Sequence, residues 1–194
     1  MVTFMLTLYP ANCTLLSILI EQPDRTEIDG FLFPKGGEIT PLFWLEFLNS
    51  KLTDEPENLF WWSPRLMMIN SSEAIVRQGF VIGACGFRAP PDQTGSVEIG
   101  YGVVPSQQQR GFATQAVSLL IEEGFSRPEI KTIVAYTVPS ESASGRVLTK
   151  NNFERDGSKI DPEDGEVWVW KRTQSKTILS KPNSRFTSGE VAYV

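Results

Sequence analysis

The chain contains no histidine. That absence removes the serine–histidine–aspartate triad, the cysteine–histidine dyad and every histidine-ligated metal site. Its two cysteines, Cys13 and Cys85, form no CxxC pair, which excludes zinc and dithiol redox motifs, and two free thiols in a reducing compartment are expected over a disulfide. No apolar run reaches the ~18 residues of a membrane-spanning helix, so no membrane partner is expected. Residues 1–20 carry no charge, but Pro10 and Asn12 interrupt them and no positive segment precedes them. A cytoplasmic protein without a secretory leader is the expectation. Basic charge is in deficit, with 18 Lys and Arg against 23 Asp and Glu, which argues against nucleic-acid binding. An acidic body suits a cationic substrate, although a solvated surface is its commoner meaning.

What is present is an ordinary globular composition: 194 residues, 41% hydrophobic and 21% charged. One domain over residues 1–172 is expected, with a polar, basic tail at 173–194. The order of elements is mixed α and β. Strands are expected at 14–21, 66–70, 79–87, 97–104, 132–138 and 166–171. Pro34-Lys35-Gly36-Gly37 reads as a turn. A helix is expected over 40–52, with Thr40 as cap, Pro41 at the first position and Phe43, Trp44, Phe47 and Leu48 on its apolar face. A second opens at Gly111 and carries Ala113, Ala116, Val117, Leu120 and Gly124 on one face until Pro128 stops it. A short third covers 141–151, and Asn152 stands where a left-handed C-cap would fall.

The informative stretch is Val103-Val104-Pro105-Ser106-Gln107-Gln108-Gln109-Arg110-Gly111-Phe112-Ala113-Thr114. A strand ends, a polar loop follows and a helix begins at a glycine. Several backbone N–H groups without helical acceptors then gather at the positive end of a helix dipole. A pyrophosphate is well held by such a place. Gly111 lets an anion approach the backbone and Arg110 adds charge. An ordinary strand–turn–helix explains the same residues equally well. There is no GxxxxGK[ST], and Gly100-Tyr101-Gly102 leads to Pro105 where GxGxxG needs its last glycine.

At this point the chain resembles a family. Gln108-x-x-Gly111-x-Ala113 matches the Q/R-x-x-G-x-G/A signature of the GNAT superfamily of acyl-CoA N-acyltransferases, and the likeness runs from about Gly79 to Arg172. Val97-Glu98-Ile99-Gly100-Tyr101-Gly102 looks like the family's fourth strand. Ala143-Ser144-x-Arg146-Val147-Leu148-x-Lys150-x-x-Phe153 looks like its second cofactor motif. Within the superfamily the chain is most similar to the RimJ/RimL-like branch.

The resemblance implies a mixed, mostly antiparallel α/β sheet of about seven strands flanked by helices and splayed between strands four and five. It implies acetyl-CoA as acyl donor, no metal, and a small-molecule or peptide amine as acceptor; a homodimer stays open. The backbone of Val103 and Val104 would pair with the pantetheine arm. Amides from Gln109 through Arg110, Gly111, Phe112 and Ala113 to Thr114 would hold the pyrophosphate, behind Gln108. Gln109 and Asn152 stand where the family usually has glycine. Glu141 stands where it usually has a cofactor-binding asparagine, which exchanges a donor for an acceptor and implies a weaker hold.

Acyl transfer needs a neutral amine, and the family often places a carboxylate where Glu98 stands. Glu98 is the candidate base, on the strand face shared with Gly100 and Gly102; a structural carboxylate paired with a cation is the alternative. A strand N–H near Val103 would face the acyl oxygen. Ser144 would face the departing sulfur, or simply start its helix, and Tyr136 is a second candidate acid. Trp61, Trp62 and Phe60 read as core more readily than as an acceptor wall, whereas Trp168 and Trp170 would edge the acceptor groove. An N-acetyltransferase leads over a catalytically silent acyl-CoA-binding or sensing domain and over a structural interaction module.

Overall fold

The computed structural model describes residues 4–28, 30–34, 39–71 and 79–174. In chain order the elements are β1 (Phe4–Pro10), α1 (Cys13–Glu21), β2 (Glu27–Ile28), β3 (Phe31–Leu32), α2 (Leu42–Asp54), α3 (Leu59–Trp62), β4 (Arg65–Ser71), β5 (Phe80–Phe87), β6 (Ser96–Val103), α4 (Phe112–Phe125), β7 (Thr132–Thr137), α5 (Ala143–Lys150), β8 (Glu154–Asp161) and β9 (Gly165–Thr173). The sheet runs β1-β4-β5-β6-β7-β9-β8, with the short β2–β3 pair attached beside β5. Along that path every pairing is antiparallel except β6 with β7. The seven-strand, mostly antiparallel expectation is met.

Each face of the sheet buries its own core. On one face α4 places Ala116, Val117, Leu120 and Ile121 against Val97 and Ile99 of β6 and Ile133 of β7. The α4 stripe read from the sequence is therefore the buried one, with Ala113 half-buried at its start. On the other face Leu15, Leu16 and Leu19 of α1 and Leu45, Leu48 and Leu52 of α2 cover Leu66 and Met68 of β4 and Val81 of β5. Trp61 and Trp62 are buried in opposite cores, as the core reading expected. Both cysteines are free, and burial pushes the Cys85 thiol up to about 12.

Two expectations fail. Residues 14–21 lie in a helix, not a strand. The Asn12 side chain accepts from the Leu15 N–H at 2.9 Å and starts α1. That brings three leucines to one buried face and outweighs the β preference of Ile18 and Ile20. The strand of this region is β1, paired with β4 one element earlier.

The second concerns α2, which begins at Leu42 with Pro41 as its cap residue, without a side-chain cap bond. Its inward face is Leu45, Leu48 and Leu52, while Phe43 and Phe47 are exposed. Both residue sets have helical spacing, and the leucines win because they meet the sheet. Trp44 and Phe47 stack on each other at 5.0 Å, and Phe47 meets the edge of Trp62 at 5.8 Å. Positions 35–37 of the expected turn and 175–194 of the expected tail lie outside the described residues, and β9 runs on to Thr173.

Candidate active site

β6 and β7 pair only from Ser96 to Glu98, opposite Thr132 to Val134, and then part. The Glu98 carbonyl accepts from the Arg88 N–H, and the Val104 N–H donates to the Ile82 carbonyl, both at 2.9 Å. Alternation along an antiparallel edge then turns the main-chain groups of Tyr101 and Val103 away from β5, into the gap. Val103 thus faces the gap. Val104 does not: its amide is spent on Ile82 and its side chain is buried in the α1–α2 core.

A cleft of about 440 Å³ opens where the strands part. Val103, Gln108 and Gln109 line one side, with the Gln108 amide donating to the Val103 carbonyl at 2.9 Å. Gly111, Phe112, Ala113 and Thr114 line the start of α4. The first helical bond there runs from the Gln115 N–H to the Gly111 carbonyl. The amides of Phe112, Ala113 and Thr114 therefore have no acceptor within the helix. Gly111 has φ +82°, and an added Cβ would meet no atom within 4 Å, so it would stand in the open space of the cleft. Arg110 turns back instead, over the Phe112 ring and onto the Gln107 side chain. Gln109 (φ 60°) and Asn152 (φ 58°) are both left-handed, at the two places where the resemblance expects glycine.

The opposite wall is α5, started by Ser142, whose hydroxyl accepts from the Gly145 N–H at 3.1 Å. Asn151, at its end, is buried and donates to the carbonyls of Thr114 and Val147 at 3.2 and 3.0 Å, which fixes α5 against the start of α4. Arg146 and Lys150 of α5 line the cleft, and among the described residues no carboxylate does. Both belong to the stretch that resembles the family's second cofactor motif, though no role was assigned to them there, and their spacing of four places them on one helix face. With the free amides they make a cradle that fits an elongated, phosphate-bearing ligand such as an acyl-CoA. Glu141 is exposed and lines neither this cleft nor the next.

A second cleft, of about 390 Å³, lies on the other side of the parting strands. Glu98 lines it, with Arg88, Tyr136, Asp161 and Asp164. Glu98 is half-buried, and loss of solvent raises its carboxyl above the usual range. Arg88 and Lys159 oppose that shift and Asp161 adds to it. The Glu98 carboxylate is 3.6 Å from Arg88 Nε. Lys159 Nζ lies over the Tyr136 ring at 3.5 Å. Trp170 faces the core and donates to the Thr137 hydroxyl at 3.0 Å, and Trp168 packs beside it. The expectation that these tryptophans edge the groove is therefore corrected: Val167, on the other face of β9, is the residue that lines it. Ser144 is exposed and borders both clefts, as does Tyr101, whose hydroxyl donates to the Ser144 carbonyl at 3.0 Å. Burial raises the Tyr101 phenol above its ordinary value.

Residues 46–154 match the acetyltransferase (GNAT) domain family, more than half of the chain. The chain belongs to the GNAT acetyltransferase family. Among curated GNAT relatives it is 35% identical over 83 residues to the uncharacterised N-acetyltransferase p20 of Bacillus licheniformis, a match covering 43% of this chain and 47% of that one. It is 34% identical over 77 residues to the uncharacterised N-acetyltransferase YoaA of Bacillus subtilis, covering 40% and 44%. The chain thus spans about half the length of the curated relatives it matches. Among solved structures, aminoglycoside acetyltransferase AAC(6')-Ib in complex with coenzyme A superposes with a TM-score of 0.60 at 23% identity, over 88% of this chain and 95% of that one. RimL, a ribosomal L7/L12 α-N-protein acetyltransferase bound to coenzyme A, gives 0.58 at 17% identity, over 87% and 93%. At such identities these GNAT structures speak for the fold alone. Among the described residues no group of His, Cys, Asp and Glu is arranged to hold a metal ion, and no helix is long and apolar enough to cross a membrane.

Proposed function

We propose that this protein is an N-acetyltransferase that takes its acyl group from acetyl-CoA and places it on a primary amine of a small-molecule acceptor. The observation that carries the reading is the pair of clefts, one cationic and rich in free amides, the other carboxylate-bearing, which meet at Ser144. RimL is one structural neighbour among several that include aminoglycoside and spermidine acetyltransferases, so the RimJ/RimL-like branch remains part of the proposal.

When bound, acetyl-CoA supplies an acetyl group activated as a thioester. The amides of Phe112 to Thr114, with Arg146 and Lys150, hold its phosphates in the first cleft. The Val103 N–H, turned into the gap, donates toward the acyl oxygen, a role worth several kcal/mol where such donors are prepositioned. Glu98 accepts the proton of the incoming ammonium. A lysine-like amine with a pKa of ~10.4 is neutral in only about one molecule in two thousand at pH 7, so a base matters. Arg88 and Lys159 favour the ionised form of Glu98, against the larger opposing effect of its burial. The Ser144 hydroxyl donates to the departing sulfur, a light task because thiols have pKa values near ~8.5.

The test is thiol release from acetyl-CoA with a panel of small amines, comparing the protein with Glu98→Gln. Turnover with at least one amine is expected, and a loss of about 10²–10⁴-fold in the variant at neutral pH with coenzyme A affinity unchanged. Coenzyme A binding without turnover on any amine or peptide would replace this reading with a silent acyl-CoA-binding domain.

A further inference from the structure

We propose that Tyr101 sets the size of the acyl group this site accepts; this rests on the reading that acyl-CoA lies in the first cleft and the amine in the second. Two residues line both clefts, Tyr101 and Ser144, and they are joined by the bond from the Tyr101 hydroxyl to the Ser144 carbonyl. The joined pair is therefore the boundary that the two clefts share, at the gap where β6 and β7 part. The bond crosses the open end of the strand splay, from β6 to the first turn of α5. The far end of the splay is closed where Glu98 still pairs with Val134. Just above that closure lie Ile99 and Ala135, both buried and both lining the second cleft.

The passage thus has a fixed floor, Ile99 and Ala135, and a tied ceiling, Tyr101 with Ser144. Ile99 and Tyr101 are two residues apart on a strand, about 7 Å. That is the backbone spacing, and the two side chains fill part of it, which leaves room for a two-carbon acyl group rather than a long chain. A longer chain has to displace the buried floor or break the tie. The floor is held by the core beneath it, where Ile99 packs with Val97, Ile133 and Leu120. The tie is a single hydrogen bond, and burial keeps the phenol protonated so that it stays a donor across the working pH range. Size selection therefore rests on Tyr101, through its ring and its hydroxyl together.

The experiment needs no acceptor. Coenzyme A, acetyl-CoA and hexanoyl-CoA are titrated calorimetrically into the protein, Tyr101→Phe and Tyr101→Ala. The unaltered protein is expected to bind coenzyme A and acetyl-CoA within about threefold of each other, and hexanoyl-CoA at least about tenfold more weakly than acetyl-CoA. In Tyr101→Ala that gap, read as the ratio of acetyl-CoA to hexanoyl-CoA affinity within the variant, closes to about threefold or less. Tyr101→Phe keeps the ring and loses the tie, and its gap falls between the other two. Equal binding of acetyl- and hexanoyl-CoA by the unaltered protein overturns the proposal. So does an undiminished gap in Tyr101→Phe, which decides the matter if Tyr101→Ala does not fold. Failure of the unaltered protein to bind coenzyme A at all would instead overturn the cofactor reading on which the proposal stands.

Discussion

Arg88 Nε stands 3.6 Å from the Glu98 carboxylate in the second cleft, while the Arg88 guanidinium rests 4.5 Å over the Trp44 ring. Trp44 thus ties α2 to the acid–base chemistry of the sheet. Loss of solvent raises the Glu98 carboxyl and Arg88 opposes this. Removing Arg88 moves the carboxyl further up. A base works when ionised, so the acid limb of the kcat/KM profile moves to higher pH in Arg88→Gln, with activity recovered at alkaline pH. The pH profiles of the two proteins check this; an unmoved limb would mean that Arg88 does not bear on the base.

The same raised carboxyl has a consequence for stability, with the opposite sign to an ordinary ion-paired carboxylate. A group whose pKa is higher folded than unfolded favours the fold while protonated, and that contribution is lost as pH rises through the folded value. Once ionised, Glu98 therefore works against the fold relative to its protonated form. Glu98→Gln is expected to melt at a higher temperature than the unaltered protein near neutral pH, and the difference should shrink as pH falls toward the ordinary carboxylate range. Melting curves across that range decide it; a lower melting temperature for the variant at neutral pH would place Glu98 among the stabilising ion pairs.

Gly111 combines a left-handed backbone with open space in front of it. Asparagine tolerates that backbone better than other side chains do, so Gly111→Asn separates strain from obstruction. The variant is expected to fold, with its melting temperature little changed, and to bind coenzyme A at least about tenfold more weakly because the new side chain stands among the phosphate-holding amides. Unchanged affinity in the folded variant would remove the α4 start from the cofactor site.

Glu141 is exposed and away from the lining of both clefts. Glu141→Asn is accordingly expected to leave coenzyme A affinity within about twofold, about 0.4 kcal/mol, just below the ~0.5–1.5 kcal/mol of one gained hydrogen bond. Calorimetry on the pair measures it, and a gain of about tenfold would show that the residue does reach the ligand.

Much of the site was legible because its parts are local. The run from Val103 to Thr114 carries its own strand end, loop and helix start, so Gly111 and the free amides follow from spacing alone. Gln109 and Asn152 were readable as glycine substitutes, and both adopt the left-handed backbone that glycine favours. What stayed hidden depends on contacts distant in sequence. Tyr101 meets Ser144 across 43 residues, and Asn151 meets Thr114 across 37. Asp161 and Asp164 reach the second cleft because the β8–β9 turn folds back over it. The errors at α1 and α2 arose where two readings share one sequence. Ile18, Leu19 and Ile20 form an apolar run in α1 that suits a strand as well as a helix, and two apolar stripes run side by side on α2, so the choice fell to the sheet each helix packs on. Trp168 and Trp170 alternate as expected, but strand alternation cannot say which face looks inward.

Everything proposed for this protein turns on acetyl-CoA binding in the cleft where β6 and β7 part. Calorimetric titration of the intact protein with acetyl-CoA tests it most directly, with Arg146→Glu/Lys150→Glu as the comparison. One site per chain is expected in the unaltered protein, and affinity at least about tenfold weaker in the double variant, whose exposed, solvent-facing substitutions leave the melting temperature nearly unchanged. No heat of binding at millimolar acetyl-CoA, or equal binding by the two proteins, would contradict it.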